Sequence, residues 1–194
     1  MSTEPTTTTT ATTTAATTTA ASFTGAVFIA TSLDGSIARP DGDLEWLTSR
    51  GEHAGDTGYD AFAASVDHLV VGRATYEKVL TFGEWPYAGK PVLVLSSTLV
   101  DGADPRVRVV PGLDALVAAL TAAGARRVYV DGGRTITAML AAGLVHELTI
   151  TTAPVLLAEG LPLFGALGRD VALEHRSTRV LGAGLVQSTY AVVR

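Results

Sequence analysis

A three-layer α/β fold is predicted, with helices on both faces of a mostly parallel sheet and an antiparallel hairpin at the C-terminal end. Three features of the sequence point there. Short apolar, β-branched runs alternate with segments of helical period. Several of those runs stop at a glycine or serine turn, the place where ligands gather in open α/β sheets. The chain then closes with two strand-like segments joined by Gly182-Ala-Gly184, a hairpin pattern. The composition fits one globular domain with a substantial core. Of 194 residues 47% are hydrophobic, and 20 glycines and 8 prolines supply the turns.

Taken in order, residues 1–21 are almost entirely Thr and Ala. They carry no basic n-region and no leucine-rich h-region, which argues against a signal peptide. They also lack the large apolar side chains a core needs, so a disordered tail is expected, with the domain spanning 22–194. Gly25 to Ala30 is an apolar run too short for a good helix and suited to a buried strand. Asp34-Gly35 marks a turn. Residues 39–51 are expected to form a loop with an apolar island at Leu44, Trp46 and Leu47. A short helix should end at Ser65, having begun near Glu52 or Thr57. Strands are expected at 66–71, 92–95, 107–110, 127–130 and 147–152. Helices are expected at 74–80, at 113–123, where Leu113, Leu116, Val117 and Leu120 recur at helical spacing, and from Arg134 towards Gly143. Residues 153–164 form an apolar loop, and the final hairpin takes 172–180 and 185–193.

Charge and composition exclude several classes of function. A formal net charge of −5 argues against a broad nucleic-acid surface. No apolar run reaches the ~18 residues of a membrane helix. With no cysteine there is no disulfide and no thiolate chemistry. The four histidines, at 53, 68, 146 and 175, are scattered without metal-ligand spacing, so no metal site is expected. The usual dinucleotide fingerprint, the P-loop and the nucleophile elbow are all absent.

Three strand ends remain as candidates for binding. In Val128-Tyr-Val-Asp-Gly-Gly-Arg-Thr135 a strand turns through two glycines into a helix, which would aim backbone N–H groups at an anion. Gly72-Arg73-Ala-Thr75 repeats the arrangement and adds a guanidinium matched to phosphate. Ser96-Ser97 ends a third strand with hydroxyls. Each could equally be an ordinary turn, with glycine for packing or serine for capping. Two glycine turns together with a serine-tipped strand favour a dinucleotide site. Acids lie near the first strand (Asp34, Asp43, Glu45, Asp56 and Asp60), and their spacing singles out none as a proton donor.

Ile29 to Ala38, Val70 to Glu77, Trp85-Pro-Tyr87, Val94 to Ser97, Val130 to Gly133 and Pro154 to Phe164 occur in an order that resembles the dihydrofolate reductase-like superfamily. Within it they look most like the reductase domain of the riboflavin-biosynthesis deaminase-reductase. The resemblance covers about 25–193. It implies a cytoplasmic, homodimeric oxidoreductase that binds NADPH. Ala30 and Ile37 would lie near the nicotinamide. Gly72, Arg73 and Thr75 would meet the pyrophosphate and the 2′-phosphate. Ser96 and Ser97 would face the adenosine, and Gly132, Gly133, Arg134 and Thr135 would hold the pyrophosphate from the opposite flank. Trp46 and Tyr59 would contact a small pyrimidine- or pterin-like substrate, with Asp34 the candidate catalytic acid. Two alternatives stand beside this reading: a binder of the same fold without turnover, and a dihydrofolate reductase proper.

Overall fold

The computed structural model describes residues 22–87 and 89–193. The expected tail, 1–21, lies outside the described residues. Ten strands and five α-helices follow one another from Thr24. They are β1 (Thr24–Ser32), β2 (Ser36–Ala38), α1 (Glu45–Gly51), α2 (Tyr59–Ser65), β3 (His68–Gly72), α3 (Arg73–Val79), β4 (Val92–Leu95), β5 (Val107–Val110), α4 (Leu113–Ala122), β6 (Arg127–Asp131), α5 (Gly133–Ala141), β7 (Val145–Ala153), β8 (Leu161–Pro162), β9 (Leu173–Val180) and β10 (Val186–Val192).

Eight strands form one sheet in the order β5-β4-β3-β6-β1-β7-β10-β9. From β5 to β7 every pairing is parallel, and β10 then runs antiparallel to both β7 and β9. Period-2 alternation splits the strand residues between two cores. Val27, Val70, Leu93, Val128 and Val130 face Leu116 and Leu120 of α4 and Ile136 and Met139 of α5. Ala26, Leu69, Val71, Val94 and Tyr129 face Phe62 of α2 and Val79 of α3. Strands buried on both sides read as unbroken apolar runs, which is why β3, β4 and β6 stand out in the sequence.

The expected α/β layering and the antiparallel C-terminal hairpin are both present. Two local expectations are corrected. The apolar island at 44–47 belongs to helix α1. Its entry is fixed by Asp43, whose carboxylate accepts the Glu45 N–H at 3.2 Å, and its burial by Trp46 in a third cluster with Ala54, Ala153, Leu157 and Leu185. So short a helix has little intrinsic stability, and tertiary burial of one indole decides it. The 153–164 loop contains β8, which pairs with β2 in a small separate sheet. The short hairpin loop expected at Gly182-Ala-Gly184 is present, as a 3-10 turn with Ala183 at φ 56°.

Candidate functional site

The strand ends singled out in the sequence are neighbours in space. Gly72 of β3 is in register with Leu95 of β4, the residue before Ser96, and Val71 is in register with Asp131 of β6. The β3–α3 and β6–α5 turns interlock. A Cβ added to Gly72 would lie 2.6 Å from the Thr135 hydroxyl, and one added to Gly132 would lie 2.4 Å from the Thr75 hydroxyl. Gly132 also has φ +92°. Each turn therefore needs glycine because the other turn's threonine presses against it. A Cβ on Gly133 would meet Pro162 O at 2.8 Å and Ile37 Cδ1 at 3.3 Å, so the β2–β8 flap closes on the same turn.

The electrostatics of these helix starts set them apart. Helices α1, α2 and α4 each carry an acid in the first turn: Glu45, Asp60 and Asp114. Helices α3 and α5 carry none, and no helix of the five has a side-chain cap bond at its N-cap. Their first turns hold Arg73 and Arg134 instead, both exposed. A cation at a helix N-terminus opposes the macrodipole. Two such ends side by side suit a polyanionic group seated between them. Arg73 is paired with Glu77 at 3.2 Å, and both side chains are half exposed.

The remaining candidates fall differently. The Ser96 hydroxyl accepts the N–H groups of Thr98 and Leu99 at 3.2 and 3.1 Å, so it caps its own turn, while Ser97 is exposed. Ala30 is half-buried in β1 and in register with Thr151. Tyr59 opens α2, with its ring edge-on to Phe28 at 5.7 Å. Asp34 and Trp46 both bear on Leu157, at the base of the 154–164 loop. Asp34 Oδ1 accepts the Leu157 N–H at 3.0 Å, and that bond holds its carboxyl below the usual range. A carboxylate so stabilised has no proton to donate near neutral pH. Trp46 is 5% exposed and packs on Leu157, which makes it a support for the loop; its indole N–H has no partner among the described residues.

One acidic group was missed as chemistry by sequence reasoning. Asp131, the last residue of β6, lies on the same face as Tyr129 and is half-buried. Burial pushes its carboxyl above the ordinary value, although its Oδ1 accepts the Gly132 N–H at 2.8 Å and the Tyr87 hydroxyl bonds to it. The same carboxyl helps to raise Tyr59, Tyr87 and Tyr129, after burial in each case. Tyr129 donates to Phe28 O at 3.0 Å, which ties the cluster to β1. The signal in the sequence was the alternation Tyr129–Asp131, which places an acid on a face lined by aromatic rings.

Residues 24–187 match the RibD C-terminal domain family. The uncharacterized protein YwjB of Bacillus subtilis is 34% identical over 160 residues, which cover 80% of this chain and 91% of that protein. A candidate riboflavin biosynthesis protein from Shewanella sp. PV-4 is 41% identical, with a TM-score of 0.80 over 89% of this chain and all of that one. RibD of Acinetobacter baumannii shares the fold at 15% identity and a TM-score of 0.66, and this chain spans 59% of its length. The resemblance read from six short motifs thus coincides with the match to the family. This chain is a member of the RibD C-terminal domain family and has the reductase-like fold of that family.

Proposed function

We propose that the protein is an NADPH-dependent reductase that transfers hydride to a small pyrimidine- or pterin-like substrate, in the manner of the riboflavin-pathway 5-amino-6-(5-phosphoribosylamino)uracil reductase. The observation that carries this reading is the pair of helix starts, α3 and α5, each with an arginine and without an acid in its first turn. Family membership supports the same reading. The residues present fit the cofactor: Gly72, Arg73, Gly132, Gly133 and Arg134 would hold its phosphates, and Ala30 and Ile37 would flank its nicotinamide. Once bound, the cofactor supplies the hydride.

The chain's own residues then bind, orient and hold a proton. Thr75 and Thr135 fix the spacing between the two phosphate-facing turns. Asp131 keeps its proton to a higher pH than an ordinary carboxyl, and the Tyr87 hydroxyl positions it. With Oδ1 engaged by Gly132, Oδ2 is the atom that would carry the proton for the reduced product. Tyr59 offers an aromatic edge beside it. The protein would act in the cytoplasm and as a homodimer.

Titration calorimetry with NADPH tests the reading, and a micromolar or tighter complex is expected. Absence of both heat and thermal shift would sink it. Arg73→Ala should weaken NADPH more than NADH, because only NADPH carries the 2′-phosphate. Equal losses would remove that assignment. Tight binding with no NADPH oxidation across a panel of aminopyrimidines and pterins would leave a binding protein without turnover.

A further inference from the structure

We propose that the cleft between α2 and the sheet face of β1, β7, β10 and β9 is a second binding site, which takes a small aromatic carboxylate. The cleft has a volume of about 310 Å³, enough for one ring and its substituent. Its cation, Arg179, sits on β9, and β1, β7 and β10 lie between that strand and β6 and β3, whose ends carry Gly72 and Gly132. The inference therefore does not rest on the reductase reading.

Its cation is built in. Arg179 donates from Nε to Gln187 Oε1 at 2.8 Å and from a terminal nitrogen to Thr57 O. Gln187 is 5% exposed and is itself fixed, donating to Thr57 O at 3.1 Å and to Thr151 Oγ1 at 2.9 Å. Gly58 gives way to this guanidinium. A Cβ there would lie 2.8 Å from Arg179 Nη2, and its φ of +76° suits glycine alone. Such anchoring removes most of the side-chain entropy that a flexible arginine loses on binding. Among the described residues Arg179 has no carboxylate partner.

The charge count selects a monoanion. The other guanidinium, Arg127, is neutralised by Glu147 through contacts of 2.9 and 3.4 Å. One positive charge is left over, and the second terminal nitrogen of Arg179, not used by Gln187 or Thr57, can donate to a carboxylate. A phosphate dianion would leave an excess negative charge beside Glu147. The floor explains the ring: Phe28 is half-buried, with its centroid 5.0 Å from that of Phe62. Thr149 and Thr189, 3.2 Å apart, add hydroxyls for a ring substituent.

The test is a titration of the full chain with sodium benzoate, followed by amide chemical shifts. Benzyl alcohol serves as the uncharged twin and inorganic phosphate as the anion without a ring. Saturable shifts are expected at Phe28, Thr149, Arg179 and Gln187, with none at Gly72 or Gly132, and both comparison compounds should bind at least tenfold more weakly. Arg179→Gln should weaken benzoate at least tenfold. Thr189→Val, which keeps the shape and removes a hydroxyl, should weaken a hydroxybenzoate relative to benzoate. Arg176→Gln, one residue out of phase on β9, should change nothing. The proposal is overturned by unsaturable shifts, by equal binding of benzyl alcohol, or by indifference to both Arg179→Gln and Thr189→Val in a folded chain. It is also overturned if β9 amides prove protected in a dimer that leaves benzoate no access.

Discussion

Asp131 and Asp34 lie at opposite ends of the range open to a carboxyl, and each has a consequence for pH. Asp131 is raised, first by burial. Its protonated form is therefore favoured by folding. That contribution is complete below the unfolded value near 3.8 and is lost as pH rises through the folded value. Asp131→Asn should accordingly raise the melting temperature more at pH 8 than at pH 4. If Asp131 supplies the proton, the same change should lower kcat by about 10²–10⁴-fold. Scanning calorimetry and turnover on one sample separate the two effects, and a fully active Asp131→Asn would remove the residue from the mechanism. Asp34 is lowered, first by the Leu157 N–H. Its contribution is present above the unfolded value and lost as pH falls through the folded one. Asp34→Asn should loosen the 154–164 loop near neutral pH and converge with the parent in acid, as read by amide exchange at Leu157. Glu77 offers a third handle. Exposed ion pairs are worth about 0.2–1 kcal/mol, so freeing Arg73 by Glu77→Gln should tighten NADPH by no more than about fivefold, with NADH unchanged.

Among elements, the interlocked turns are the part of the candidate site most open to a stability test. Gly132→Ala introduces a Cβ at φ +92° and 2.4 Å from the Thr75 hydroxyl. Strained backbone of this kind costs about 1–3 kcal/mol. Thr75→Ala opens the space without changing the dihedral, so the double mutant should recover part of the loss. A denaturant double-mutant cycle should show a coupling of about 0.5–3 kcal/mol, and strict additivity would mean that the turns relax independently. The glycines themselves were legible in the sequence, because each stands where an apolar strand run gives way to a helical pattern. Their reason was not, since the pressing threonine sits on a different helix some sixty residues away. Helix α1 was hidden for a related reason. Its polar surface looks like a loop, and only long-range burial of Trp46 against Ala153 and Leu185 makes it a helix. Strands β3, β4 and β6 were legible because sheet burial on both faces leaves an uninterrupted apolar run.

On the scale of the whole molecule, strand order is what the sequence least reveals. β1 lies between β6 and β7, more than a hundred residues away in the chain. That insertion depends on close approach at Gly25, where a Cβ would lie 2.2 Å from Leu144 O. The order matters for the proposed function because it brings the ends of β4, β3 and β6 side by side, so that motifs far apart in the chain share one edge of the sheet. A ligand that bridges two helix starts and three strands should stabilise the whole domain and not one loop. Binding at a concentration 100 times Kd adds about 2.7 kcal/mol to the folded state. For a domain of this size each kcal/mol moves the midpoint by about 2–4 °C. Saturating NADPH should therefore raise the melting temperature by about 5–11 °C in a single cooperative transition. Benzoate, in the cleft by Arg179, should add its own smaller shift on top, because β1, β7 and β10 separate β9 from the glycine turns of β3 and β6. Competition between them, seen as one ligand cancelling the shift of the other, would show instead that the two sites overlap.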